Sequence, residues 1–459
     1  MAMAILFFFL SAIIPYPAEG FGIKEEKELG EKLLSLVSRQ FAVIEEPDVV
    51  EYINTLGHKI VRASGPTFFN FHFFVIDDRE FNAFAAPSGL IFVHSGLIAG
   101  CRSEDELVAV LAHEIGHVQS RHIAHQMEKS TKVGIGTLAL MIAGIAVGAG
   151  PIGNALVAGS MATNASLALK FSRKDEEEAD RLAYNWMGKM GRDRRAILSM
   201  LQRMRRISVL QSGDLPQYLL SHPITTARIG YIQDLLRLDG PLPPHKDKDD
   251  FAFQRFRLRI MALSHSLSGG IGLESASRDG RGNREGLKNY GLALNSLEQG
   301  DYNNAEKRLK KAITDFPGRP DIITDLGLAR FRAGRLAAAR KTLEQSRKIK
   351  ANAYNTFYLA RTMEEQGDCR GAIDLYRRTE ETLSFSANLH LHQGLCLDSL
   401  GSHGAARYHL GLNNWYRGQG KAAIRELKKA VKLMPKNAPL RRKAEEALAR
   451  IKHLEKVKT

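Results

Sequence analysis

The sequence is poor in cysteine, and this scarcity excludes one way of stabilising a chain. Three cysteines, Cys101, Cys369 and Cys396, occur in 459 residues, which is too few for a disulfide framework. The two late cysteines could pair or stay reduced, so the count does not fix the redox compartment. Hydrophobic residues at 44% and charged residues at 25% are ordinary for a globular protein. This composition excludes a mainly disordered chain and a polytopic membrane protein.

Excess charge is also missing from the first part of the chain. From Glu285 to the end there are 33 Lys and Arg against 19 Asp and Glu, whereas the residues before it hold 32 against 31. Together with the length, this asymmetry predicts at least two regions with different roles. The basic half has no aromatic-rich binding motif, so we expect a solvated basic face and no nucleic acid partner.

Two segments lack charge. Residues 4–14 are apolar and too short to span a bilayer, but they have the length of a signal-peptide core. We predict a signal peptide over 1–20 and export, although no Lys or Arg precedes the apolar run; a buried first helix or a different start residue is the alternative. Residues 133–169 are also uncharged, and their two glycine-rich arms favour buried or interfacial helices over a transmembrane hairpin.

The sequence between residues 70 and 98 changes from a helical to a strand-like pattern. NFHFFVID predicts one strand, and FNAFAAPSGLIFVHSGLI predicts two short strands around the turn at Pro87-Ser88-Gly89. Ser103 followed by Glu106 is a capping box that opens the next helix.

The C-terminal part repeats itself. Gly300, Gly334, Gly367 and Gly401 are 34, 33 and 34 residues apart, and each precedes an alanine by five residues. This period and pattern predict tetratricopeptide (TPR) repeats, because glycine permits the turn and alanine lets paired helices approach. Gly418 repeats the pattern after only 17 residues, so we expect four to five units with an irregularity there.

The string His113-Glu-Ile-Gly-His117 predicts a metal site. Histidines at i and i+4 share one helix face, and Glu114 lies beside that face, where it can accept a proton from an activated water. A third histidine at +10 is excluded because that position is Ile123, and Ser120 replaces the glycine that would accompany it.

A carboxylate on a second helix can complete this site. Glu176 and Asp180 are again i and i+4, so Glu176 could bind the metal while Asp180 orients a ligand imidazole. The alternative is an acidic helix N-terminus favoured by the helix dipole. His122 and His125 are offset from the His113 face, and we expect them to be surface groups.

These motifs together resemble a known family. HEIGH, the ExxAD helix, the FNAFAAPSGLIFVHSGLI segment, Ser221-His222-Pro223 and the repeats are similar to the BepA-type periplasmic metalloprotease–TPR proteins; the front half also resembles the HtpX-like gluzincin peptidases. The resemblance implies a mainly α fold in which a metallopeptidase domain with a small β-sheet precedes an α-solenoid. It implies that His113, His117 and Glu176 bind one Zn2+ per chain, that Glu114 is the general base and that Asp180 has an auxiliary catalytic or orienting role. It also implies that His222 occupies a regulatory fourth zinc position, although this residue could otherwise be a loop histidine. Asn82 and Ala83, in an edge strand, would contact the substrate backbone.

The expected organisation is a signal peptide over 1–20, a zinc metallopeptidase domain over 21–240, a linker over 241–284 and a TPR domain over 285–459. The expected function is an exported, periplasmic zinc endopeptidase that cleaves unfolded or misassembled proteins, with outer-membrane proteins implied by the resemblance. The repeats would recruit clients or the outer-membrane assembly machinery, and residues 133–169 could contact a membrane peripherally. A chaperone or scaffold whose protease site is shut by His222 is the competing hypothesis.

Overall fold

The computed structural model describes residues 22–129, 171–210, 217–240, 250–265 and 284–456. The expected signal peptide and the uncharged segment 133–169 lie outside the described residues. Within the described ranges, no helix combines the length and the apolar character needed to cross a bilayer. The expected mainly α fold with a small sheet is confirmed.

A three-stranded sheet lies near the start of the chain. β1 (His72–Ile76) pairs in parallel with β3 (Leu90–His94), and β2 (Ala83–Ala86) pairs antiparallel with the other side of β3. A turn of 3-10 helix over Pro87–Gly89 joins β2 to β3, with Ser88 at φ 70°. The predicted strands and their turn are therefore confirmed, and β2 is an edge strand of the described sheet.

Helices surround this sheet and form the first core. Two long helices precede the sheet in the chain, and the other helices of this part follow it. Their bounds are α1 Ile23–Gln40, α2 Pro47–Ser64, α3 Ser95–Gly100, α4 Glu104–Gln119, α5 His122–Lys129, α6 Arg173–Lys189, α7 Arg195–Leu210, α8 Gln217–Ser221, α9 Thr226–Leu238 and α10 Phe251–Leu263.

The close packing of α4 on α6 brings the two motif helices together. A Cβ atom added at Gly116 would lie only 3.1 Å from the Cα of Ala179, so the glycine within HEIGH permits this approach. α4 is buried along nearly its whole length, from Asp105 to Val118. The side chains that carry the metal motif are therefore held inside the protein.

The C-terminal part is an array of antiparallel helices. Its bounds are α11 Arg284–Glu298, α12 Tyr302–Asp315, α13 Pro320–Arg332, α14 Leu336–Ile349, α15 Ala353–Glu365, α16 Cys369–Thr379, α17 Ala387–Ser399, α18 His403–Tyr416, α19 Gly420–Leu433 and α20 Pro439–Lys456. The repeat glycines adopt positive φ and the paired alanines are fully buried, as the spacing predicts: Gly300 at 80°, Gly334 at 73°, Gly367 at 83° and Gly401 at 76°, with Ala305, Ala339, Ala372 and Ala406. The irregularity at Gly418 is real, because this glycine joins α18 directly to α19.

α10 connects the two parts through buried charges, although it lies within residues 241–284, which we expected to form a linker. Arg255 contacts Asp48 of α2 at 2.9 Å and Asp325 of α13 at 3.2 Å. Arg259, whose side chain is fully buried, contacts Glu298 of α11 at 3.0 Å. At the far end of the array, α1 contacts α20, and the Lys32 ammonium donates to a backbone carbonyl there at 2.9 Å. The first part of the chain and the repeats are thus packed directly on each other.

Candidate metal centre

Two imidazoles from α4 begin the site. The helix begins after Ser103, whose hydroxyl accepts the backbone N–H of Glu106, as expected of a cap. Two turns further on, His113 and His117 point the same way, and their Nε2 atoms are 3.0 Å apart. Both side chains are buried, so the i, i+4 spacing has produced a paired set of nitrogen ligands.

α6 supplies the carboxylate. It begins with a capping box between Ser172 and Asp175, which fixes the first turn on which Glu176 sits. The carboxylate of Glu176 lies 3.6 Å from His113 Nε2 and 3.5 Å from His117 Nε2. The two motifs are about 60 residues apart in the chain, but the fold brings their side chains close enough to bind the same metal ion.

His222 follows α8 and completes the group. Its Nδ1 lies 2.8 Å from Glu176 Oε1 and 3.3 Å from His113 Nε2. One ligand atom from each of His113, His117, Glu176 and His222 lies within 4.8 Å of every other, and all four residues are buried. The structure thus places His222 inside the cluster and not on a surface loop.

The donor set fits a zinc ion. Three imidazole nitrogens and one carboxylate oxygen are a set that zinc accepts in tetrahedral sites. Burial, together with the charges of the neighbouring histidines, holds the pKa of His117 well below its usual range, so this ring is neutral, as a metal ligand must be. Burial acts to raise the pKa of Glu176, but Arg228 and His222 outweigh it and keep the pKa below its ordinary value.

Glu114 is a buried acid beside this cluster. Its side chain is fully buried, and no side chain within the described chain is hydrogen-bonded to its carboxylate, which the backbone of Ala85 approaches. One oxygen lies 3.7 Å from His222 Nε2. Burial raises the pKa of Glu114, an effect that the charge of Glu176 reinforces. A buried carboxylate that lacks a side-chain hydrogen bond beside a cluster of ligands is placed to exchange a proton with a water there.

Comparison with known proteins agrees with this geometry. Residues 47–236 match the model of peptidase family M48, and residues 296–358 match a tetratricopeptide repeat model. The chain contains an M48 peptidase domain followed by TPR repeats. The predicted class of enzyme, a metallopeptidase, is confirmed by this match.

Relatives named as proteases align over much of the chain. The beta-barrel assembly-enhancing protease of Escherichia coli K12 is 26% identical over 365 residues, which cover 78% of this chain and 73% of that protein. The putative beta-barrel assembly-enhancing protease of Vibrio cholerae is 31% identical over 314 residues, covering 66% and 64%. The mitochondrial metalloendopeptidase OMA1 of Schizosaccharomyces pombe is 31% identical over 185 residues, covering 40% of this chain and 52% of that protein.

Around the ligands of the M48 domain, Asp180 and Arg228 form a buried pair. His113 Nδ1 lies 2.9 Å from Asp180 Oδ1, the contact expected of a group that orients a ligand imidazole. Arg228 donates from Nε at 2.7 Å and from Nη2 at 2.8 Å to the two oxygens of Asp180, and it also contacts Glu176. Arg228 holds the pKa of Asp180 far below its usual range against the opposing effect of burial. Sequence reasoning missed Arg228, because nothing in the spacing marks an arginine six residues after His222.

The expectation that His122 is a surface group was wrong. Its side chain is 3% exposed, and its Nδ1 lies 2.9 Å from Nδ1 of His117, so it supports a ligand on the side away from the cluster. The Phe171 ring packs against His117, with ring centroids 3.9 Å apart. The His122 contact does not follow from the helical offset, because the turn after α4 redirects the chain at Arg121, where φ is 51°. Phe171 lies just before α6, so its contact depends on how α6 packs against α4. His125 is exposed, as predicted.

The residues expected to contact substrate lie at the start of β2. Ala83 is the first residue of this edge strand and pairs with Val93. The Asn82 side chain is 1% exposed, and its amide nitrogen has no hydrogen-bond partner among the described residues. The structure therefore places Ala83 in a strand that pairs on one side only within the described sheet, although all four residues of this strand are buried, and it turns the Asn82 amide into the interior.

Proposed function

We propose that this protein is a zinc-dependent endopeptidase in which His113, His117 and Glu176 hold the metal. The observation that supports this best is the buried four-residue ligand cluster next to the buried carboxylate of Glu114. The proposed metallopeptidase domain covers 21–240 and the repeat domain 285–459, joined by 241–284. We assign one Zn2+ to each chain.

The residues of the site have separate roles in peptide hydrolysis. When bound, zinc supplies Lewis-acid activation of water and of a peptide carbonyl. Glu114 accepts the proton of the attacking water and delivers it to the departing amine, a task that suits a carboxyl group with a raised pKa. Asp180 holds His113 by its Nδ1–H, and Arg228 keeps Asp180 ionised.

The substrate binds as an extended chain. β2 pairs on one side with β3, and no other strand of the described sheet pairs with its other edge. Strand addition uses backbone hydrogen bonds, with Ala83 at the start of the edge, and so accepts many sequences in unfolded form. Asn82 contributes only if its buried amide rotates toward the substrate backbone.

The setting follows from the relatives. Relatives that align over 78% and 66% of this chain are named beta-barrel assembly-enhancing proteases, so we assign this chain to the quality control of outer-membrane proteins in the periplasm. The repeats recruit misassembled clients or the assembly machinery, as TPR arrays bind protein partners. Residues 133–169 are a candidate peripheral membrane contact. A nucleic acid partner is not proposed.

Metal content tests the proposed ligands. Elemental analysis of the purified protein should give one zinc per chain, and the His113→Ala and Glu176→Gln variants should lose it. Glu177→Gln is the matched control, because Glu177 is exposed on the same helix and its substitution removes the same charge. Zinc retained in the Glu176→Gln variant would place the third ligand elsewhere. If neither the unmodified protein nor any variant contained zinc, the proposed zinc endopeptidase would be rejected.

The position of His222 supports a second candidate, a chaperone or scaffold with a latent protease site. His222 contacts both Glu176 and His113, so it can occupy the position that a water needs. Cleavage of unfolded casein by the unmodified protein, His222→Ala and Glu114→Gln separates the two. A latent enzyme is activated by His222→Ala, whereas a constitutive one is not, and Glu114→Gln is inactive in either case.

A further inference from the structure

The cysteines of the repeat array form a close pair. Cys369 is the first residue of α16 and Cys396 lies in the last turn of α17, 27 residues later. Their Sγ atoms are 2.7 Å apart, which is well inside the van der Waals separation of two sulfur atoms and approaches the bonded distance of about 2.05 Å. The antiparallel packing of α16 and α17 therefore brings the two thiols to one end of a helical hairpin.

We propose that Cys369 and Cys396 form a disulfide that closes the α16–α17 hairpin covalently. The two side chains already meet in the packed array, so the bond requires only a small approach of the sulfurs and no rearrangement of the helices. Cys396 is buried, but Cys369 is only partly buried, so an oxidant from solution can reach one member of the pair. Cys101, in contrast, is fully buried in the peptidase half and stays a thiol.

The bond forms by thiol–disulfide exchange with a disulfide oxidant. The Cys369 thiolate attacks one sulfur of the oxidant, giving a mixed disulfide and releasing one thiol. Cys396 then loses its proton and attacks Sγ of Cys369, which releases the second thiol. Two protein thiols are oxidised to one disulfide, and one oxidant disulfide is reduced to two thiols. Burial raises the pKa of Cys396, so attack begins at the more exposed Cys369.

This closure would brace the loop that docks the repeats on the peptidase sheet. The Phe385 ring lies 4.5 Å from the His72 ring and 5.5 Å from the Phe74 ring of β1, measured between centroids. The Ser386 hydroxyl donates to Glu45 at 2.8 Å. Because this loop lies between Cys369 and Cys396, the disulfide would enclose it in a covalent ring, so α17 could not separate from α16 and withdraw it.

Thiol counting tests the proposal on the full chain. The protein is equilibrated with oxidised glutathione, denatured, and alkylated with a maleimide before mass spectrometry. We expect one label of the three available, on Cys101, and three labels after reduction. The oxidised chain should also be cut more slowly by chymotrypsin within residues 380–386, which contain Leu383 and Phe385, than the reduced chain.

The Cys369→Ser variant is the matched control, because it keeps Cys101 and Cys396. It should show two labels before and after reduction, once any glutathione adduct is counted, and no redox-dependent change in proteolysis. Three labels on the unmodified protein in the oxidising buffer would overturn the proposal. A glutathione adduct that persists on Cys369 without reaction of Cys396 would overturn it as well. Equal cleavage of the loop in both redox states, with the disulfide present, would overturn the bracing role.

Discussion

The contact between Asp180 and His113 yields a sharp prediction for Asp180→Asn. In the native protein, Oδ1 of Asp180 accepts from His113 Nδ1 and from Arg228 Nη2, and Oδ2 accepts from Arg228 Nε. An asparagine has one acceptor oxygen and one donor amide, so it cannot satisfy all three. If its oxygen faces His113, its NH2 group faces Arg228 Nε, so two hydrogen-bond donors oppose each other. If it flips, its NH2 faces Nδ1 of His113, which must then be the unprotonated nitrogen, and the proton moves to Nε2, the atom needed for the metal.

Either orientation weakens metal binding. Loss of a group that orients a metal ligand typically costs 10- to 100-fold in affinity, or about 1.4 to 2.7 kcal/mol. We expect a rise of this size in the zinc dissociation constant of Asp180→Asn, measured by competition with a fluorescent chelator at neutral pH. Glu177→Gln, on the exposed side of the same helix, should bind like the unmodified protein. An affinity of Asp180→Asn within about threefold of that control, with folding verified by circular dichroism, would refute the reasoning.

Three further predictions concern stability. Arg228→Met should leave Asp180 and Glu176 as buried, uncompensated carboxylates. We expect it to lower the free energy of unfolding of the metal-free protein, measured by urea titration, by about 3–5 kcal/mol. A loss under about 1 kcal/mol would contradict the pairing. Removal of bound zinc by a chelator should lower the melting temperature, because the ion binds the folded state preferentially, and an unchanged value would argue against the site. Burial lowers the pKa of His390 to about 4 and that of His409 to about 3, from an unfolded value near 6.5, so the unfolded chain binds more protons below pH 6.5. Stability should therefore fall as the pH drops from about 6.5 to 4, by about 3 kcal/mol from His390, and a His390→Gln variant whose slope matches the unmodified protein would contradict this.

Local sequence patterns predicted most of the secondary structure. The change to an alternating pattern placed three strands and the turn at Ser88, and the period of 34 placed the repeat helices. These features depend on backbone preferences and on side chains a few residues apart. The capping residue Ser103 was predictable for the same reason, since its hydroxyl contacts an N–H group three residues away.

Residue spacing predicted the pairs of the candidate site that share a helix, whereas a role for His222 was expected only from the resemblance to a known family. His113 and His117, like Glu176 and Asp180, are related by the i, i+4 spacing, so one helix face brings each pair together. The expectation for His122 failed because the chain turns at Arg121, and a helical offset does not apply across that turn.

The sequence by itself determined the metallopeptidase motif, the repeat period and the order of the two regions, because each is written in residues close together in the chain. Only the tertiary structure decided that His222 enters the ligand cluster, that Arg228 pairs with both Glu176 and the neighbouring Asp180, and that Cys369 meets Cys396. These contacts join residues on different elements, and their distances depend on how whole helices pack. Close approaches such as that of α4 to α6 at Gly116 set such distances, and no local pattern encodes them.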